Sequence, residues 1–310
     1  MKKTIAVLLA AITILSLAAC AAKNNPEPET TTGAAEITSE SETAQEQTEA
    51  TATDENAAET ATATETKAEN TEATPSDTDT GKKLPETKAE ILAAYAEVMN
   101  QAKKDAPGFT KVEYQVLPEE GRVVTEGKTL VNAGLNVAGN FMTSKENAEK
   151  KPDVYPKGND MAAFPIRNTP KGCMLEDPDF LKVAKFEVLP DGNYKITLVT
   201  GTEKNPEPAA HGASTAPSKT GGIITPISKK EIDENLQGGI VSAVFKDFVY
   251  SLTFHDCESV LVYNPENNHV VSLDQTTRVA ISGSARALGA KINIENQDLI
   301  NYKKISDLKY

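Results

Sequence analysis

The sequence predicts an α+β fold: an N-terminal amphipathic helix packed on a curved, mostly antiparallel β-sheet of about seven or eight strands. Three observations carry this. A capped stripe of helical period opens the patterned part of the chain. A series of period-two runs follows, several joined by hairpin turn signals. No helical crossovers separate those runs, as a parallel sheet would require. The third observation excludes a Rossmann-like or two-lobed solute-binding architecture, and no internal repeat is present.

The helix begins at Thr87, which forms a capping-box pair with Glu90. Ile91, Tyr95, Val98 and Ala102 then recur at helical spacing, Leu92 and Met99 widen the stripe, and Pro107-Gly108 ends it. Val112, Tyr114 and Val116 alternate with Glu113 and Gln115. Ala133, Leu135, Val137 and Phe141 are read as one face of the next strand, with Asn132, Asn136 and Asn140 on the other. Such alternation describes strands with one buried and one wet face. Ala184-Phe186-Val188 and Tyr194-Ile196-Leu198 flank Pro190-Asp191-Gly192-Asn193, a hairpin signal. A short helix is expected from the capping box of Ser228 and Glu231, with Ile232 and Leu236 inward and Gly238-Gly239 as its stop. Phe248, Tyr250, Leu252 and Phe254 give another one-sided strand. Val260 to Tyr263 and Val270 to Leu273 flank Asn264-Pro265-Glu266-Asn267-Asn268, a second hairpin. Val279-Ala280-Ile281 and Ile292-Asn293-Ile294 complete the series.

Two connections are too long for simple turns. Residues 144–182 carry Pro152, Pro156, Pro165, Pro170 and Pro178 together with Tyr155, Met161 and Phe164, side chains that can pin the loop to the sheet. Residues 201–227, around His211, are polar and small and are expected to be mobile.

Upstream of the helix the composition changes. Residues 21–83 hold fifteen Asp and Glu against four Lys, a net of −11, with Ile37 alone as a large apolar side chain. Setting aside Lys2 and Lys3, this leaves −4 for residues 84–310 out of a total of −13. A segment of this kind cannot bury enough surface to offset its ordering entropy, so it reads as a disordered acidic tether. Its 63 residues would reach roughly 220 Å fully stretched and about 45 Å as a random coil. Its charge argues against nucleic acid or an anionic membrane as the partner of this segment.

The first twenty residues, MKKTIAVLLAAITILSLAAC, pair two lysines with an apolar run short of the ~20 residues of a membrane span. Leu17-Ala18-Ala19-Cys20 resembles the lipobox of bacterial lipoproteins. The resemblance implies cleavage between Ala19 and Cys20 and a diacylglyceryl group on the Cys20 sulfur. The domains are then a signal peptide at 1–19, a lipidated cysteine and tether at 20–83, and a single α+β domain at 84–310. The partner so implied is a membrane, reached through the lipid on Cys20.

Cys173 and Cys257 remain, an even pair in an exported chain, which suggests a disulfide. Two reduced buried thiols are the alternative. Neither cysteine has a CxxC partner or a histidine at metal-ligand spacing, and His211, His255 and His269 are likewise unclustered, so no metal or cofactor is expected. His255-Asp256-Cys257 juxtaposes a thiol and an imidazole, but strand neighbours point to opposite faces. Asp177-Pro178-Asp179 lacks the spacing of a calcium loop and reads as an N-cap followed by Pro. Gly221-Gly222 and Gly283 to Arg286 lack the lysine and context of a phosphate loop. With no Trp and 5% aromatic residues, the chain offers few stacking platforms for bases, and no nucleic acid partner is expected.

Ala94-Tyr95 through Asn100, Lys103 to Gln115 and Leu175 to Pro206 resemble uncharacterised surface lipoproteins of clostridia-like Gram-positive bacteria. The likeness covers about a third of the folded part and implies placement on the outer face of a single cytoplasmic membrane, a Gram-positive surface rather than a Gram-negative periplasm, although the lipobox alone leaves the Gram-negative envelope open. The expectation is a membrane-anchored extracytoplasmic lipoprotein, not an enzyme. Its head would be a non-catalytic module for a small-molecule or protein ligand, with a site between helix, sheet and the 144–182 loop. Three alternatives stay open. A carrier or sensor of lipidic molecules would need a cavity lined by Phe186, Ile196, Phe248 and Phe254. An enzyme would need an acid–base pair in a cleft, and a wall spacer would need nothing beyond the tether.

Overall fold

The computed structural model describes residues 83–236, 245–287 and 289–310. Ala19 and Cys20, the tether to residue 82 and Gly238-Gly239 lie outside them. The chain order is α1 (Lys88–Asp105), β1 (Gly108–Val116), β2 (Val123–Glu126), α2 (Lys128–Phe141), α3 (Lys145–Lys150) and β3 (Asp153–Tyr155). It continues with β4 (Leu181–Val188), β5 (Tyr194–Thr200), β6 (Glu203–Lys204), α4 (Lys229–Leu236) and β7 (Phe245–Phe254). The last strands are β8 (Glu258–Asn264), β9 (His269–Ala287) and β10 (Ala290–Lys309).

The ten strands form one open sheet in the order β3-β1-β10-β9-β8-β5-β4, with β2 added to β10, β7 to β9 and β6 to β7. The pairs are antiparallel. Both predicted hairpins form. Gly192 adopts φ +83° in the first and Asn268 φ +58° in the second, left-handed positions that suit these residues. The expected seven or eight strands become ten because β2, β3 and β6, at four, three and two residues, are too short to show a period. The runs at 279–281 and 292–294 are parts of β9 and β10, strands of 19 and 20 residues.

The run expected as a strand over 132–141 is helix α2. Asn132, Asn136 and Asn140 recur every four residues, which satisfies a period of two and also one side of a helix. Among the described side chains and glycines of this helix, Val131, Gly134 and Ala138 are buried, and their spacings of three and four belong to a helix.

On α1, Thr87 Oγ1 accepts from Glu90 N (3.2 Å) and Glu90 Oε2 accepts from Thr87 N (2.9 Å). Ile91, Tyr95, Val98, Met99 and Ala102 are buried. On the strands, Ile196, Leu198, Leu261, Leu273 and Ile305 are fully buried and define the inner face of the sheet. Each such side chain removed from water stabilises by roughly 1.5–3 kcal/mol. The long connections add Phe164, Ile166, Leu175, Ile223 and Ile224 to the buried set.

The connection at 201–227, expected to be mobile, is tied down by its own polar side chains. The Glu203 carboxylate accepts from Lys219 N (3.3 Å) and Thr220 N (2.7 Å). Glu207 accepts from Ser228 Oγ (2.6 Å) and Lys230 N (3.1 Å) at the start of α4. Asn205 exchanges two bonds with the Leu252 backbone.

Candidate functional site

Antiparallel register aligns one residue from each of four adjacent strands across the inner face. Ser259 of β8 lies opposite Gln275 of β9, Gln275 opposite Lys303 of β10, and Lys303 opposite Glu113 of β1. Two residues along the same strands, at about 7 Å, the neighbouring row runs Leu261, Leu273 and Ile305, continued by Ile196 on β5. A polar row therefore sits beside one that is apolar from β5 to β10 and ends at Lys111 on β1, opposite Ile305.

The polar row falls into two bonded groups, one of Tyr95, Ser259 and Gln275 and one of Lys303 and Glu113 with their neighbours. Tyr95 Oη of α1 and Ser259 Oγ share a hydrogen bond of 2.8 Å. Gln275 Nε2 donates to Ser259 Oγ (3.4 Å) and to the Ile223 carbonyl (3.3 Å). Lys303 Nζ stands 3.7 Å from Glu113 Oε1, while Lys111 Nζ lies 3.0 Å from Glu113 Oε2 and 3.1 Å from Asp153 Oδ2. Asn301 Nδ2 donates to Glu113 Oε1 (3.1 Å), and Gln115 Nε2 donates to Asn301 Oδ1 (2.7 Å). Ser259 and Gln275 are buried. The Lys111, Lys303 and Glu113 side chains keep 12%, 16% and 28% of their surface, which leaves this end of the row reachable from solvent.

Electrostatics follow from this placement. Burial opposes ionisation of Glu113, but the Lys303 and Lys111 ammoniums and the Asn301 amide overrule it and hold the carboxyl at about 2. Lys111 feels the same burial and is carried up to about 12 by Glu113 and Asp153. Tyr95 is pushed well above its ordinary range by burial, so it remains a neutral hydroxyl.

The alternation on β1 suggests apolar residues inward and polar residues outward. The structure reverses that sense. Glu113 shares its face with Phe109, which is buried and stacks on Tyr155 at 4.6 Å. Tyr114 instead stacks on Tyr302 at 4.9 Å on the opposite face, and Val116 is exposed. Cross-strand aromatic pairing stabilises that outer side, so both faces of β1 are partly covered.

The residues singled out from sequence are placed as follows. Cys173 and Cys257 are both buried and both free in this structure. Burial pushes the Cys173 thiol up to about 11 and raises that of Cys257. Cys257 Sγ points to the carbonyls of His255 (3.7 Å) and Arg278 (3.6 Å), not to an imidazole. His255 lies between Asp256 (3.2 Å) and Asp298 (3.3 Å). Asp177 caps a 3₁₀ turn over Pro178–Phe180 by accepting from Asp179 N. Gly283 to Arg286 lie within β9. Ile196 and Phe254 are packed core residues, Phe186 sits edge-on to Tyr194, and Phe248 packs on Tyr250.

Sequence reading missed the polar row. Its members look ordinary one at a time, and only the pairing of four strands brings them together. Among the described residues no group of three or more His, Cys, Asp and Glu is arranged to hold a metal ion, and no helix is long and apolar enough to cross a membrane. No family model matches the chain, and neither the curated proteins nor the solved structures yield a significant match.

Proposed function

We propose that the chain is a membrane-anchored extracytoplasmic lipoprotein whose folded head, residues 84–310, is a non-catalytic module that binds a polar ligand. The signal at 1–19 is removed, Cys20 carries the lipid, and the acidic tether holds the head away from the membrane. In this reading α1 lies along the concave inner face of the sheet, as an amphipathic helix on a curved support. The site is the Lys303–Glu113 end of the polar row, bordered by β3 and the 144–182 connection.

The observation that carries the proposal is the polar row itself. Burying charge and amide groups costs free energy unless each is bonded, and the adjacent row shows that these strands accept apolar side chains without difficulty. Donors and acceptors at a partly open end suit a ligand with hydrogen-bonding groups of both kinds. Lipobox residues Leu17 to Cys20 support the anchor.

Two measurements test the parts separately. Cys20→Ala should move the protein from the membrane to the soluble fraction with its melting transition unchanged; an unchanged membrane fraction refutes the anchor. Native mass spectrometry of protein purified from its own host should show a bound small molecule or partner that Lys303→Met removes. An adduct that survives Lys303→Met together with Glu113→Gln places the site elsewhere.

A further inference from the structure

At the open end of the polar row the acidic groups are engaged and one ammonium is not. Both oxygens of Glu113 accept a hydrogen bond, Oε1 from Asn301 Nδ2 (3.1 Å) and Oε2 from Lys111 Nζ (3.0 Å). Lys111 also pairs with Asp153 Oδ2 at 3.1 Å. Asp160 Oδ1 accepts from Ala162 N (2.9 Å). Lys303 stands apart from this network. An ammonium has three protons to donate, yet the ion-pair partner of Lys303 is Glu113 Oε1 at 3.7 Å, beyond hydrogen-bond reach. Its Nζ donates to no acceptor among the described residues. A charged group largely withdrawn from water and short of acceptors is costly unless something else supplies them.

The neighbouring charges decide what can supply them. Lys103 is buried and donates to the carbonyls of Met161, Phe164 and Ile166, each at 2.8 Å. Burial first and then the Lys303 ammonium, against the pull of Asp160, draw Lys103 down to about 7, so these two lysines feel each other. Lys103, Lys111 and Lys303 therefore act together on this end, opposed by Glu113; Asp153 and Asp160 are exposed, where water screens them. A cationic ligand would be repelled by the three lysines. A single negative charge with two acceptor oxygens suits the one vacant ammonium, whereas a phosphate brings a further charge and a third oxygen. Gln115, on the same face of β1 as Glu113, gives Nε2 to Asn301 and keeps Oε1 without a hydrogen bond among the described residues. A neutral donor elsewhere on the ligand has its partner there.

We infer that the polar row takes a carboxylate-bearing small molecule, with the carboxylate seated on Lys303 Nζ. The inference rests on the reading of the polar row as the binding site and adds the charge of what binds.

Acetate is the probe. Melting of the full chain in detergent is followed as chloride is replaced by acetate at constant ionic strength, for the parent, Lys303→Gln, Lys303→Arg and Lys304→Gln. Lys304 pairs with Val112 and Asp274 on the outer face and is the control. Acetate should raise the melting temperature of the parent by about 3 °C. The rise should vanish in Lys303→Gln, survive at least in part in Lys303→Arg, which keeps the charge, and be unaltered in Lys304→Gln. Equal rises in all four proteins would be a bulk salt effect and would overturn the inference, as would no rise in the parent. If methylammonium raises the parent instead, and Glu113→Gln removes that rise, the site stands and its preference is for cations. Likewise, a molecule from the host that Lys303→Met displaces but that carries no acidic group refutes the inference and leaves the binding site in place.

Discussion

Two rows of side chains cross β8, β9 and β10 on the same face, two residues apart, and they differ in polarity and in exposure to solvent. Ile196, Leu261, Leu273 and Ile305 are fully buried and apolar. Ser259, Gln275, Lys303 and Glu113 are polar or charged; Ser259 bonds Gln275 and Tyr95, and Lys303 pairs with Glu113. Strand propensity does not distinguish the rows on the shared strands β8, β9 and β10, but burial does, since Lys303 and Glu113 keep 16% and 28% of their side-chain surface. The apolar row contributes to the core, whereas the polar groups carry a desolvation cost that their bonded partners offset.

The largest way to break the comparison is to empty the apolar row. Leu261→Ala should lower the unfolding free energy by about 3–4 kcal/mol in a denaturant titration. A loss below about 1 kcal/mol would mean the row is not core.

Acid acts on the other row. Because the Glu113 carboxyl is held at about 2 in the folded chain, below the ordinary 4.5, its contribution is complete above pH 4.5 and is lost as pH falls toward 2. The loss should approach about 2–3 kcal/mol and be absent from Glu113→Gln. Parallel acid profiles for the two proteins would remove Glu113 from the network. A smaller effect joins the rows to α1. Tyr95→Phe deletes the bond to Ser259 and should cost about 1 kcal/mol, with no additional cost when combined with Ser259→Ala. Additive losses would show that the two hydroxyls do not communicate. The smallest effect concerns the tether: deleting residues 24–80 should leave the melting temperature where it was, and a clear drop would give the tether a structural part.

How legible the chain was depends on whether the information is local. Helix α1 could be read because Thr87, Glu90 and the stripe from Ile91 to Ala102 lie within five turns of one another. The hairpin at Asp191-Gly192 was legible for the same reason. Helix α2 was misread because its asparagines, spaced by four, satisfy both periods. The 201–227 connection looked mobile because Glu203, Asn205 and Glu207 reveal their roles only once Thr220, Leu252 and Ser228 are beside them. The polar row was the least legible feature. Nothing in Asn301-Tyr302-Lys303-Lys304 tells which parity faces inward, and the pairing of Tyr302 with Tyr114 decides it across 188 residues of chain.

The account stands most directly on exchanging the charged end of the polar row for apolar side chains of similar size, Lys303→Met with Glu113→Met. Replacing such a pair with well-packed apolar groups is often neutral or stabilising. The doubly substituted protein should therefore melt at or above the temperature of the parent while losing the molecule seen in native mass spectra from the host. A protein that melts far lower, or one that keeps its bound molecule, would show that the row serves the fold and not a ligand.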